Sequence, residues 1–244
     1  MLSKQLTIVI PTRNEEKYIG YLLRDLLHQY DIKGTKIVIA DSSDDGTLDV
    51  VVDFQRKFGN MLNIIVTEGG TVSKARNNGS IYCTTDYILF LDADIRLRNA
   101  FHICDCLIQL KAKNYNKGKA LLTSPIYCYK NDWKCRLGYR IYNFIHRILT
   151  IKYPFAIGGF FMLDYKSFKK FGRFNEFVDN SEDFLFSQNF SPDEFVISKT
   201  KIGLDDRRFK KIGYFYTVKH LLVNFYKFIK KDKKHFHKKS GYWG

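Results

Sequence analysis

Asp92-Ala93-Asp94 places two carboxylates one residue apart, directly after residues 87–91 (YILFL), the most apolar strand-like run of the chain. Carboxylates this close repel unless a cation or hydrogen bonds compensate. A hard divalent ion such as Mg²⁺ takes oxygen ligands from one or two carboxylates and completes its shell with phosphate and water. Two further polar clusters follow apolar runs in the same way. Residues 6–10 (LTIVI) lead into Pro11-Thr12-Arg13-Asn14-Glu15-Glu16, and residues 36–40 (KIVIA) into Asp41-Ser42-Ser43-Asp44-Asp45-Gly46-Thr47. Taken singly, such clusters cap helices or form turns. Three of them at successive run ends favour a metal–diphosphate site.

Elements must bring those clusters together. The first 120 residues alternate short β-branched runs with helical stripes, as in a parallel sheet with helices on both faces. Strands are expected at residues 6–10, 36–40, 62–67 and 87–91. Helices are expected at residues 15–30, after Asp44 or Asp45 as cap, at 71–82 and at 99–113. In such sheets ligands bind beyond the carboxyl ends of the strands, where the acidic clusters lie. The second half is less regular. It reads as a strand at 120–126, an aromatic amphipathic helix at 133–149, and an apolar segment, AIGGFFML, at 156–163. A short helix at 166–171, a helix at 181–188 opening with Ser181-Glu182-Asp183, and a strand at 195–201 follow. Gly158-Gly159 suits a place where backbone passes close to a ligand, or a tight turn.

Together these pieces resemble the inverting glycosyltransferases of family 2, with their GT-A fold. The matching pieces are strand-PTRNEE, strand-DSSDDGT, Lys74-Ala75-Arg76-Asn77-Asn78-Gly79, strand-DAD, Gly158-Gly159 and Ser181-Glu182-Asp183, in the family's order between residues 6 and about 190. The resemblance implies an α/β, Rossmann-like GT-A domain over residues 1–206. A nucleotide-sugar-binding half would occupy 1–115 and an acceptor half 116–206. It implies that Pro11, Thr12 and Glu15 border base and ribose, and that Asp41, with Asp44 beside it, binds the base. Lys74 and Arg76 would lie near base or diphosphate. Asp92, Ala93 and Asp94 would hold the donor, with Asp94, and Asp92 at ribose or metal, toward Mg²⁺ or Mn²⁺. Gly158 and Gly159 would lie beside donor sugar or acceptor. Asp183 would be the catalytic base and Glu182 would orient acceptor or base. His220 is a further metal-ligand candidate on the same grounds.

Charge adds a second theme. The 244 residues carry a net +15, yet residues 207–244 hold 12 Lys+Arg against one acid, Asp232. That is +11, which leaves +4 for the first 206. A basic tail on a near-balanced body suits an anionic surface, lipid or nucleic acid. A helix is expected from 213 to 230, aromatic and flanked by lysines, as in an interfacial membrane helix. Tyr139, Tyr142, Phe144 and Ile145, with Arg136, Arg140 and Arg147, are expected to add to the same surface. Membrane docking would suit a glycan or polyprenyl-linked acceptor. The start, MLSKQLTIVIPTRNEE, has too short an apolar run for a secretory signal, and no run of about 18 apolar residues occurs. The expectation is a cytoplasmic enzyme, peripheral on a membrane. The five cysteines are odd in number and match no zinc spacing, as for buried free thiols.

Two alternatives compete. A nucleic-acid-binding protein would use the tail but leave the strand-end acids without a purpose. A nucleotidyltransferase usually has a glycine-rich basic loop after its first strand, where this chain has Thr12-Arg13-Asn14-Glu15.

Overall fold

A computed structural model describes residues 1–178 and 181–207, with Lys210, Gly213 and Val223 beyond them. The first half alternates as expected: β1 (Leu6–Thr12), α1 (Glu16–Leu27), β2 (Lys36–Asp41), α2 (Thr47–Phe58), β3 (Asn63–Glu68), α3 (Val72–Ser80), β4 (Tyr87–Leu91) and α4 (His102–Lys117). β1 is buried at all seven positions, which is why it reads as a continuous apolar run. The second half contributes β5 (Leu121–Thr123), β6 (Ile126–Cys128), α5 (Trp133–Thr150), β7 (Phe160–Asp164), α6 (Tyr165–Phe171), α7 (Glu182–Ser187), β8 (Phe195–Ile197) and β9 (Ile202–Leu204).

A seven-stranded sheet runs β3-β2-β1-β4-β7-β5-β8, and β6 and β9 form a separate two-stranded sheet. β1 pairs in parallel with both β2 and β4, so the chain order reverses between β1 and β4. This is the switch point where ligand crevices form. β7 is antiparallel to both neighbours, β4 and β5. Its first residue, Phe160, pairs with the last of β4, Leu91, so Gly158-Gly159 arrives beside Asp92. The Asp92 amide donates to the Gly159 carbonyl at 3.2 Å.

Strand alternation divides the core in two. Ile8, Ile10, Leu89 and Leu91 face a cluster completed by α1, α2 and α4. Val9, Ile88 and Phe90 face a second cluster, rich in phenylalanine, with Phe161, Phe168, Phe174, Phe186 and Phe190. α3 packs on β1 and β2 in that second layer.

Three details depart from the sequence reading. The strand expected at 120–126 is two strands in different sheets, divided at Ser124-Pro125, because proline has no N–H to continue a ladder. The strand expected at 195–201 ends already at Ile197, and a further strand not expected from the sequence, β9, follows in the other sheet. The cap of α2 is Gly46 rather than an aspartate, although Asp45 Oδ1 accepts the Thr47 amide at 3.0 Å. All five cysteines are free thiols, and Cys104 alone among them is only half-buried. The 213–230 helix and His220 fall outside the described residues, Gly213 and Val223 apart.

Candidate active site

Each acidic cluster leaves a strand end with its geometry set by local hydrogen bonds. Asp41, the last residue of β2, accepts from Thr12 Oγ1 at 2.6 Å and from Ser43 Oγ at 2.7 Å. The end of β1 and the end of β2 are thus tied side chain to side chain, on the Thr12–Asp41 register pair. Asn14, in the left-handed region at φ 56°, accepts the Asp44 amide on its Oδ1 at 2.9 Å. The Asp44 side chain itself is exposed. Pro11 and Thr12, at the end of β1, are both buried.

Glu15 is the charged residue of the first cluster that turns inward. Its Oε2 is buried without a hydrogen-bond partner among the described residues. Burial, and then the nearby charge of Asp94, push its pKa up to about 7, against the opposing pull of Arg207. Asp94 Oδ2 accepts from Arg207 Nη2 at 2.7 Å. The same guanidinium reaches Asp205 through Nε at 2.9 Å, stands 3.9 Å from Glu15 Oε2 and lies 3.7 Å over the ring of Tyr18. One cation therefore sits among three carboxylates at the switch point.

Arg76 organises the other side. It is only 2% exposed. Its Nη1 donates to Glu182 Oε1 at 2.5 Å, and its Nη2 to Asp92 Oδ1 at 3.0 Å and to the Gly158 carbonyl at 3.1 Å. The guanidinium also lies 5.4 Å from the Phe174 ring centroid. A single side chain of α3 thus joins the end of β4, the loop before β7 and the start of α7. Burial pushes the Asp92 pKa up to about 6, with Arg76 opposing. Asp183 is pushed above the usual carboxylate range by burial and by the neighbouring charge of Glu182. Its Oδ1 accepts the Phe184 amide at 2.7 Å. A Cβ on Gly158 would lie 2.8 Å from Asp183 Oδ2 and 3.3 Å from Arg76 Nη2. Gly158 is glycine because carboxylate and guanidinium approach its backbone. Gly159 is crowded instead by Ile95, an apolar packing contact.

The structure brings together Glu15, Asp92 and Asp94 at one edge of the cleft, and Asp92, Gly158, Glu182 and Asp183 around Arg76. Ala93 is buried between the two aspartates of its turn. Lys74 stands apart: its Nζ pairs with Glu68 Oε1 at 2.7 Å on the surface beyond β3. Arg76, expected near base or diphosphate, has both of its Nη nitrogens donating to carboxylates of the protein. Asn77 and Asn78, in the same segment, are also internal fasteners. Asn77 Nδ2 donates to the Phe174 carbonyl and to Glu176, and Asn78 Nδ2 to the Glu68 carbonyl. Sequence reasoning missed Arg207 and Asp205. Their signal, Asp205-Asp206-Arg207 directly after an apolar strand, was the same as that of the other clusters.

A divalent ion can be judged against these donors. Among the described residues no group of three or more His, Cys, Asp or Glu side chains is arranged to hold a metal. Mg²⁺ or Mn²⁺ bound with a diphosphate needs only one or two carboxylates. Asp94 and Asp92 supply that number, the Arg207 guanidinium marks a place of strong negative potential, and the unpartnered Glu15 Oε2 faces the same place. The residues fit a divalent ion held mainly by Asp94.

Comparison with known proteins bears on the family and the fold. A 4,4'-diaponeurosporenoate glycosyltransferase of Staphylococcus haemolyticus is 30% identical over 120 residues, 48% of this chain and 31% of that protein. The poly(ribitol-phosphate) beta-N-acetylglucosaminyltransferase TarS of Staphylococcus aureus is 33% identical over 91 residues, 36% of this chain and 16% of that one. The chain thus spans about a third or less of the length of these curated relatives. Among solved structures, the mannosyltransferase PcManGT of Pyrobaculum calidifontis, in complex with GDP-Man and Mn²⁺, superposes with a TM-score of 0.63 at 16% identity, covering 88% of this chain and 64% of that one. TarS residues 1–349 superpose with a TM-score of 0.58 at 20% identity, covering 89% and 64%. The fold is GT-A, as the motifs implied. Residues 7–172 match Glycosyl transferase family 2, and the chain belongs to that family.

Proposed function

We propose that this chain transfers a sugar from a UDP- or GDP-sugar to a hydroxyl or phosphate acceptor, on a glycan or a lipid-linked sugar, with inversion at the anomeric carbon and with Mg²⁺ or Mn²⁺. The observation that carries this reading is the Arg76 junction. It holds the metal-side carboxylate Asp92 and the acid pair Glu182-Asp183 in one buried network. Proteins of the same fold have been solved with UDP-GlcNAc and with GDP-Man and Mn²⁺, which supports a nucleotide-sugar donor.

In this reading Thr12 and Asp41 receive the base and ribose, and Asp94 and Asp92 face the diphosphate. A bound divalent ion would supply stabilisation of the charge that develops on the departing nucleoside diphosphate. Asp183 accepts the proton of the acceptor hydroxyl as that oxygen attacks from the face opposite the diphosphate. The bond from the anomeric carbon to acceptor oxygen forms as the bond to phosphate breaks. A carboxylate whose pKa has been raised is a better base at neutral pH than an ordinary one. Glu182 acts through Arg76, keeping the guanidinium and hence Gly158 and Asp183 in place. Arg207 would exchange one of its carboxylates for phosphate when donor and ion arrive.

Calorimetric titration with UDP and GDP, each with and without Mn²⁺, tests the reading. Binding of one nucleotide that strengthens with Mn²⁺ is expected, and absence of binding by both would overturn it. The anomeric configuration of the transferred sugar, read by NMR, tests inversion.

A further inference from the structure

The α5 helix carries a second surface. Its buried side, Cys135, Tyr139, His146 and Thr150, packs inward. On the opposite side Trp133, Leu137, Ile141, Phe144, Ile148 and Ile151 are all exposed, Trp133 by 69%, Phe144 by 65% and Ile151 by 75%. Their spacing, four, four, three, four and three residues, keeps them within about a quarter of the helix circumference. Of the apolar and aromatic residues expected on this surface, Phe144 lies on the stripe, whereas Tyr139 is in the core and Tyr142 and Ile145 are half-buried. Along one side of the stripe run Arg136, Arg140 and Arg147, all exposed and, among the described residues, in no ion pair with an acid. Lys134 and Lys152 flank its other side. The helix contains no acidic residue.

An apolar stripe of this length is far beyond the scattered exposed side chains of an ordinary surface. Charge decides what covers it. A second copy of α5 would set arginine rows against one another. The chain's own residues 207–244 carry +11 and are like-charged with them. Both occupants are disfavoured by the same repulsion. A fluid anionic surface with an apolar interior satisfies both features: the stripe enters the acyl boundary while arginine and lysine stems reach back to headgroups. No helix among the described residues is long and apolar enough to cross a membrane, so the contact is lateral. We infer that α5 is a membrane-docking helix that lies on anionic phospholipid. Its last turn leads within eight residues to Gly158 and the Asp183 side of the cleft, so docking would hold that side near lipid.

The test is co-sedimentation of the full chain with vesicles of phosphatidylcholine alone or of equal parts phosphatidylcholine and phosphatidylglycerol. Partitioning onto the anionic vesicles, weakened by salt, is expected. Arg136→Gln/Arg140→Gln/Arg147→Gln should weaken it on the order of a hundredfold. Ile141→Ser/Phe144→Ser should also release the protein, with an unchanged circular dichroism spectrum because both sites are exposed. In a Trp243→Phe background, Trp133 emission should shift to the blue and be quenched by brominated lipid. Failure to partition, full partitioning by both α5 variants, an unquenched Trp133, or a dimer dissolved by Phe144→Ser would each overturn the inference. The assay contains no nucleotide or sugar, so it stands or falls apart from the proposed reaction.

Discussion

Arg76 balances charges that are largely withdrawn from water. Its partner Glu182 is only 5% exposed, and Asp183 and Asp92 lie beside the same guanidinium. Replacing Arg76 by Met would leave buried carboxylates uncompensated and should cost about 3–5 kcal/mol, read from the urea midpoint. Arg76→Lys keeps the charge but loses the fork that spans Glu182 and Asp92, so it should fall in between. Asp183→Asn should stay folded and lose roughly 10²–10⁴ of the transfer rate, if Asp183 is the base. Its raised pKa also fixes a sign: the base works ionised, so the rate should climb with pH along a limb above the ordinary carboxylate range. That limb should vanish in Asp183→Asn. Glu15 makes a stability prediction. Its folded pKa of about 7 exceeds the ordinary 4.5. Between those values the folded state holds a proton that the unfolded state has released. Without divalent ions, stability should therefore fall as pH rises from 4.5 to about 7, by up to roughly 3 kcal/mol. Asp92 and Asp183, raised as well, act with the same sign, so Glu15→Gln should reduce the slope without abolishing it, measured by urea melts across pH. At this scale Asp92 and Asp94 were legible because acids after an apolar strand are conspicuous. Arg76 was legible as a residue but not in its use, since a Lys-x-Arg on a helix also reads as a solvated face and only the tertiary fold buries it.

Elements deliver these residues by direction as much as by sequence. β1, β2 and β4 present their carboxyl ends to the cleft, while antiparallel β7 presents its beginning. Hydrophobic pattern does not encode strand direction, so AIGGFFML was readable as apolar and buried but not as a strand running against its neighbours. The parallel half was readable because β1, β2 and β4 are buried nearly throughout and α1 and α2 each carry an apolar stripe. The crowding at Gly158 gives an element-scale prediction. Its backbone does not need a left-handed conformation, so Gly158→Ala can fold, but the new Cβ must push Asp183 or Arg76 aside. Stability should drop by about 1–3 kcal/mol, and transfer should fall more than the folded fraction does. Gly79 provides the contrast. A Cβ there strikes Val9 where α3 meets β1, so Gly79→Ala should destabilise the core in a urea melt without a specific effect on the chemistry of Asp183.

Over the whole molecule, binding and folding are linked. Saturation with UDP or GDP and Mn²⁺ at about 100 times the dissociation constant should add about 2.7 kcal/mol. For a chain of this size that is a rise in melting temperature of roughly 5–10 °C by calorimetry. In Asp94→Asn the Mn²⁺-dependent part should disappear while any nucleotide-only part stays. The sequence showed the charge asymmetry and placed an amphipathic helix at 133–149, yet of the aromatics it named for the outer face only Phe144 lies there, together with Trp133, which it did not name. A helical stripe read from sequence does not say which of two apolar sides the domain takes. α5 has both, and only packing distinguishes Tyr139 from Phe144.

The Arg76 junction also sets how α7 exchanges with solvent. A six-residue helix has almost no stability of its own. Here its first residue is held by Arg76, and near its end Ser187 Oγ accepts the Ala156 amide at 2.8 Å while Gln188 donates to the Pro154 carbonyl. To open α7 alone would strand a buried guanidinium and two carboxylates at once. Its amides should therefore exchange deuterium in step with the central strands, through unfolding of the whole domain, rather than at the fast rate normal for so short a helix. Asp183, Glu182 and Asp92 then share one cooperative unit, and neither side of the Arg76 junction loosens without the other.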